Sequence, residues 1–137
     1  MELKDIVCDF EYAVRLKKLG VKRKSIFTHW NDDELHSTDA IKSLYSGRVF
    51  EDNSINAYTV AELGEMLPKE IKLGNTYYLE IGYCVEDKEW SCGYWNGQHD
   101  EARLCTVDNK LANCLAKNLN QLIDNKHVDV EELNNGE

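Results

Sequence analysis

Proline occurs once in this 137-residue chain, no two cysteines stand in C-x-x-C spacing, and no apolar run approaches the length of a membrane span. Each absence removes a class of protein. With one proline, eight scattered glycines and no internal repeat or low-complexity block, no interdomain linker is credible. The length then fits one domain with one core, large enough to fold without disulfide or metal support. Cys8, Cys84, Cys92, Cys105 and Cys114 are odd in number and lack zinc-ribbon spacing, so they are expected to be reduced, most of them small buried hydrophobes. Met1-Glu2-Leu3-Lys4-Asp5 lacks the apolar stretch of a leader, and the expectation is a soluble, cytoplasmic protein with no membrane partner. Gly74, Gly82, Gly93 and Gly97 form no phosphate-cradling pattern, so no nucleotide cofactor is expected.

What is present reads as an ordinary globular composition, 42% hydrophobic and 30% charged. The net charge of −9 is unevenly placed. Residues 1–24 hold seven Lys/Arg against four Asp/Glu, a net +3, and the remainder holds nine against twenty-one, a net −12. Direct nucleic-acid binding is not expected from such a balance, because it requires many cations to neutralise phosphates. The cluster Lys17 to Lys24 is read as a solvated helix end whose cations favour the negative end of the helix dipole.

Local patterns are strongest in three places. The first is Asp9 to Gly20, where apolar residues fall at Tyr12, Ala13, Leu16 and Leu19, with Asp9 placed to cap and Gly20-Val21 placed to stop a helix. The second is the central run Ala57-Tyr58-Thr59-Val60-Ala61-Glu62-Leu63-Gly64-Glu65-Met66-Leu67-Pro68. There a Thr59-x-x-Glu62 capping box opens a short helix that Pro68 closes. The third is a helix over about Asp108–Asn125, with an apolar stripe of Leu111, Ala112, Leu115, Ala116, Leu119, Leu122 and Ile123 and with Lys110, Asn113, Lys117, Asn120, Gln121 and Asp124 off it.

Between the last two lies a β region. Tyr77, Leu79, Ile81, Tyr83 and Val85 alternate with Tyr78, Glu80, Gly82, Cys84 and Glu86, and the odd face is assigned to the core. A two-residue turn at Asp87-Lys88 pairs Val85 with Trp90, Tyr83 with Cys92 and Ile81 with Tyr94. It places Cys84 and Cys92 on opposite faces, whereas a three-residue turn, Asp87-Lys88-Glu89, would bring them opposite each other. Ala102–Val107 adds a further antiparallel strand, and Ser25–Trp30 reads as a strand whose free edge suits a homodimer. Lys69–Thr76 reads as a connector, residues 33–56 as a loop-rich insert with a short helix at Asp39–Tyr45, and 129–137 as an acidic flexible tail.

No reaction centre emerges. His29, His36, His99 and His127 lack metal-ligand spacing, although His29 and His36 could meet across a loop. Cys105 or Cys114 beside a histidine would make a thiol nucleophile, which is the residue basis for an alternative reading as a small Cys/His enzyme. Asp32-Asp33-Glu34 lack the alternation and glycine of a calcium loop and are read as solvated acids or a contact surface. Trp95 falls opposite Trp90 and Tyr94, beside Tyr78, Gly82 and Gly93, and forms either a second packed layer or a partner-binding patch. Trp95, Tyr78, Asp32, Asp33 and Glu34 are therefore the candidate interaction residues. No catalytic, cofactor or metal residue is assigned.

The Thr59-to-Pro68 run, preceded by Leu16-Lys17-Lys18-Leu19-Gly20-Val21 and followed by Leu115-Ala116-Lys117-Asn118-Leu119-Asn120-Gln121-Leu122-Ile123, resembles small uncharacterised proteins of phages and prophages of gut bacteria. That resemblance implies an accessory protein inside a bacterial host and carries no activity with it. The expected fold is a single α+β domain over 1–128, with an antiparallel sheet of three or four strands against an N-terminal and a C-terminal helix and a short central helix. The expected function is non-enzymatic, through contacts with a host or phage protein. The alternative built on charge is an acidic mimic of nucleic acid that inhibits a host defence or replication protein.

Overall fold

The computed structural model describes residues 2–31 and 34–135. After a short 3-10 turn at Leu3–Asp5 the elements are α1 (Phe10–Lys18), β1 (Phe27–Trp30), β2 (Glu34–Ser37), α2 (Thr38–Leu44), α3 (Gly47–Asn53), β3 (Ser54–Asn56) and α4 (Val60–Met66). They continue with β4 (Glu70–Leu73), β5 (Asn75–Cys84), β6 (Glu89–Asn96), β7 (Ala102–Asp108), α5 (Leu111–Asp124) and α6 (Val130–Asn135). The α+β class holds, in one small domain with two antiparallel sheets, ordered β2-β1-β3 and β4-β5-β6-β7.

Helix α5 is the centre of the core. It packs on β6 and β7 with one side and on α1 and α4 with others. Ala112, Leu115, Ala116, Leu119, Leu122 and Ile123 of the expected stripe are buried, and so are Asn113, Cys114, Asn118 and Asn120. Burial of polar side chains is offset by hydrogen bonds. Asn118 Nδ2 donates to the Leu104 carbonyl at 2.7 Å and the Cys92 carbonyl at 3.2 Å, and Asn113 Nδ2 to the Asp9 carboxylate at 2.8 Å. The expectation that Asn113 and Asn120 lie off the buried surface is thus corrected, because a helix with neighbours on several sides has no wholly solvated face.

The stop of α1 and the start of α4 are built as their sequences dictate. Asp9, expected to cap α1, stands at the N-cap position without a side-chain cap bond, because its carboxylate is held by Lys110 and Asn113 of the distant C-terminal helix region. Glu62 N–H donates to Thr59 Oγ1 at 3.2 Å and Thr59 N–H to Glu62 Oε1 at 2.8 Å, closing the box that starts α4. Gly20 takes φ +97°, and the Val21 N–H reaches the Leu16 carbonyl at 3.0 Å, which ends α1 in a Schellman turn.

Four expectations about the chain are corrected. Lys69–Thr76 is a tight hairpin: Gly74 at φ +86° turns β4 back onto β5, pairing Leu73 with Asn75 and Glu70 with Tyr78. Residues 34–56 are structured, with Trp30 stacked on Tyr45 at a centroid distance of 4.8 Å. Residues 130–135 form a helix rather than a loose tail, with Leu133 buried and Asn134 accepting from Lys22 N–H at 2.7 Å and donating to the Gly20 carbonyl at 2.9 Å. Finally, β1 is the middle strand of its sheet, paired with β2 on one side and β3 on the other, so the Ser25–Trp30 segment offers no edge for a homodimer.

The β5–β6 hairpin differs in register by two residues. The connection is the four-residue stretch 85–88 with Lys88 at φ +54°, and Tyr83 pairs with Trp90, Ile81 with Cys92 and Leu79 with Tyr94. A shift of two leaves every face unchanged. Cys84 therefore opposes Glu89 and stays exposed, Cys92 is buried on the other side, and all five cysteines are free thiols. The odd face of β5 reaches the core only in its first half: Tyr77 is buried, whereas Ile81, Tyr83 and Val85 project beyond the core with 44%, 47% and 77% exposure.

Candidate interaction surface

The even face of β5 and the matching face of β6 form the outer side of the four-stranded sheet. Tyr78 and Trp95 are direct cross-strand partners there, so the structure brings together two of the candidate residues. Tyr78 is half-exposed, and no second layer of described residues packs over this face. The aromatic group is a surface feature.

The position of the third ring is set by a loop. Asn96 accepts from Asp100 N–H at 3.1 Å and Glu101 N–H at 3.3 Å and also donates to the Asp100 carboxylate, wrapping the turn between β6 and β7. His99, held at φ +58° in that turn, folds back so that its imidazole stacks on Trp95 with centroids 6.2 Å apart and planes 26° apart. Its Nε2 lies 2.9 Å from the Glu80 carboxylate. Both side chains are about half-exposed, so the pair fixes orientation more than it adds stability.

Beside this stack the sheet surface falls away. Cys92↔Thr106 and Tyr94↔Arg103 are consecutive pairs, so β7 carries an extra residue opposite Gly93. Leu104, at φ +54°, turns inward against the core, while Cys105 lies over Gly93. A Cβ at Gly93 would sit 2.6 Å from the Cys105 sulfur, which is why the position needs glycine. Gly82 on the neighbouring strand also lacks a side chain. The result is an open depression of about 380 Å³, floored by Gly82 and Gly93 and bordered by Glu80, Trp95, His99 and Cys105.

Chemically, this arrangement offers a π face, a carboxylate, an imidazole and a thiol without joining the last two. Cys105 Sγ donates to the Arg103 carbonyl at 3.8 Å and His99 Nε2 faces Glu80, so the hydrogen bond between nucleophile and base that covalent catalysis relies on is not formed. The three buried thiols, Cys8, Cys92 and Cys114, are unsuited to nucleophilic work. Burial pushes Cys8 and Cys92 up to about 12, and burial also raises Cys114 against a partly offsetting hydrogen bond with Thr106.

The remaining candidates are dispersed. Glu34 begins β2 in the other sheet, 4.0 Å from His36, while Asp32 and Asp33 lie outside the described residues. His29 is buried and donates from Nε2 to the Cys8 carbonyl at 3.0 Å. His36 opposes Thr28, so it projects from the face of the sheet opposite to His29, and the two do not meet. Among the described residues no group of three or more His, Cys, Asp or Glu is placed to hold a metal, and no helix is long and apolar enough to cross a membrane.

Alternation puts Tyr78, Glu80 and Gly82 on one face, whereas nothing in the sequence brings His99 and Cys105, candidates for other roles, beside them. Their positions depend on a left-handed loop residue and a bulge, neither of which has a periodic signal. No family model, curated protein or solved structure matches the chain.

Proposed function

We propose that the chain is a non-enzymatic accessory protein that binds a protein partner through the outer face of the four-stranded sheet. The observation that carries this reading is the Trp95–His99 stack, pinned by Glu80 beside a floor of two glycines and next to half-exposed Tyr78. Rigid aromatic rings flanked by hydrogen-bonding groups are what protein hot spots are made of. The depression is open, and it lacks the enclosure that lets a pocket cover most of a small ligand. The resemblance of the Thr59–Pro68 motif to phage and prophage proteins supplies the setting, a bacterial host cell.

Affinity capture from host lysate, washed at low and high salt, tests the reading. A specific protein retained by the native chain and lost from Trp95→Ala and Tyr78→Ala, with Val49→Ala as an exposed control on α3, supports it. An identical set captured by all four chains opposes it. Charge favours a second reading, since the −12 outside the first 24 residues suits an acidic mimic that occupies a nucleic-acid-binding site of a host protein. Capture that disappears in the high-salt wash and is indifferent to Trp95→Ala would select that second reading.

A further inference from the structure

Strand β5 is only half covered on its outer edge. Strand β4 pairs with it over Asn75–Tyr78, and the last bond runs from the Leu79 N–H to the Lys69 carbonyl at 2.8 Å. Beyond that point, among the described residues, β6 alone is hydrogen-bonded to β5. Since the Leu79 N–H faces the β4 side, strand alternation directs the N–H and C=O of Ile81 and Tyr83 to the same open side. Two other sheet edges, those of β7 and β3, are blunted in recognisable ways. Strand β7 carries the bulge at Leu104, and Lys117 Nζ caps the Val107 carbonyl at 3.0 Å. Lys17 Nζ caps the Ser54 carbonyl of β3 at 3.0 Å. The stretch Ile81-Gly82-Tyr83-Cys84 has no proline and no charge, and among the described residues no side chain caps its open backbone groups.

We infer that this edge pairs with the same edge of a second copy of the chain, antiparallel about a two-fold axis at Gly82, to make one continuous eight-stranded sheet. The register is self-complementary. Ile81 opposes the second copy's Tyr83 and Tyr83 the second copy's Ile81, in two hydrogen-bonded pairs that satisfy all four open backbone groups on each strand. Gly82 meets Gly82 in the intervening non-hydrogen-bonded pair, and Glu80 opposes Cys84, so no like charges face each other. The side chains of Ile81 and Tyr83, 44% and 47% exposed, then cover one another across the axis. Tyr83 is already held by Trp90, with ring centroids 5.0 Å apart. The same register carries each copy's turn, with exposed Glu86 and Asp87, to the start of the other copy's β4, where exposed Lys69 and Glu70 stand side by side. A register with the axis at Ile81 is poorer, because it would call on the Leu79 N–H, which the Lys69 carbonyl already holds.

Two measurements on the full chain test this. The first is sedimentation of the native protein and of Ile81→Lys over a concentration series. A monomer–dimer equilibrium is expected, weakened at least about tenfold by the lysine. The second is cross-linking of Gly82→Cys in a Cys84→Ser, Cys105→Ser background. A Cβ at position 82 meets only Ser91 Oγ at 3.6 Å, so the variant is tolerated. Non-hydrogen-bonded pairs bring Cα atoms to about 4.5 Å, within disulfide reach. Mild oxidation should give a disulfide dimer faster than in the matched Gly97→Cys control. A native chain that stays monomeric throughout overturns the proposal. So does a dimer that Ile81→Lys leaves intact or a Gly82→Cys chain that cross-links no faster than the control.

Discussion

Glu62 ties two distant parts of the chain together, and its removal should cost more than a surface carboxylate normally does. Its Oε1 accepts from Thr59 N–H at 2.8 Å and from Ser25 Oγ at 2.7 Å, and its Oε2 accepts from Ile26 N–H at 3.0 Å. One contact closes the cap of α4 while two anchor the lead-in to β1. Loss of a cap costs about 1 kcal/mol, and each hydrogen bond to a charged group about 1.5–3 kcal/mol. Water can replace part of this, because Glu62 is half-buried and Ile26 is exposed, and the single Ser25 hydroxyl proton can turn wholly to the Ala57 carbonyl, 2.9 Å from Oγ. For Glu62→Ala the net expectation is about 2–4 kcal/mol, or about 6–15 °C in Tm for a chain of this size. Glu62→Gln keeps an acceptor oxygen and should lose about half as much. Glu65→Ala, on the same helix with its side chain 72% exposed and 3.9 Å from Arg23, should stay within about 0.5 kcal/mol of native. Denaturant unfolding followed by circular dichroism measures all three. Glu62→Ala and Glu65→Ala with equal stabilities would refute the reasoning.

Three further predictions concern other parts of the fold. Gly93→Ala should destabilise by about 1–3 kcal/mol through overlap with the Cys105 sulfur, and Cys105→Ala should recover part of that loss in the double variant; additive effects in a double-mutant cycle would contradict the contact. Leu133→Ala should cost about 2 kcal/mol or more, because α6 is docked and Leu133 is buried, whereas a loose tail would leave the unfolding midpoint unchanged. For Asp9, burial alone would raise the carboxyl pKa, but Lys110 Nζ at 2.6 Å and Asn113 Nδ2 at 2.8 Å outweigh it and hold the pKa below its ordinary value. A depressed carboxylate stabilises the fold above its unfolded pKa, and that contribution is lost as pH falls through the folded value. The stability gap between native and Asp9→Asn should therefore be full near neutrality and shrink below about pH 4; a gap independent of pH would oppose this.

Much of the fold was legible where the signal is local. The Thr59–Glu62 box, the Gly20–Val21 stop and the apolar stripe of α5 concern residues within a turn or two of each other, and all three were realised. Strand alternation assigned faces correctly in the β5–β6 hairpin even though the turn was misjudged, because a two-residue shift preserves parity. Elements that owe their existence to distant partners were not legible. Strand β4 has four residues and depends on β5, and α6 is held by Leu133 and by Asn134 bonds to Gly20 and Lys22. At the candidate surface, alternation paired Trp95 with Tyr78's face, but nothing in the sequence announced that His99 would turn back onto Trp95.

Binding at the outer sheet face is the central claim, and partner capture by Trp95→Ala beside the native chain tests it most directly, once matched unfolding midpoints show that both are folded. Loss of a specifically retained host protein from the variant, in low- and high-salt washes alike, is the predicted result. Equal recovery of that protein by the native chain and the Trp95→Ala variant would contradict the account.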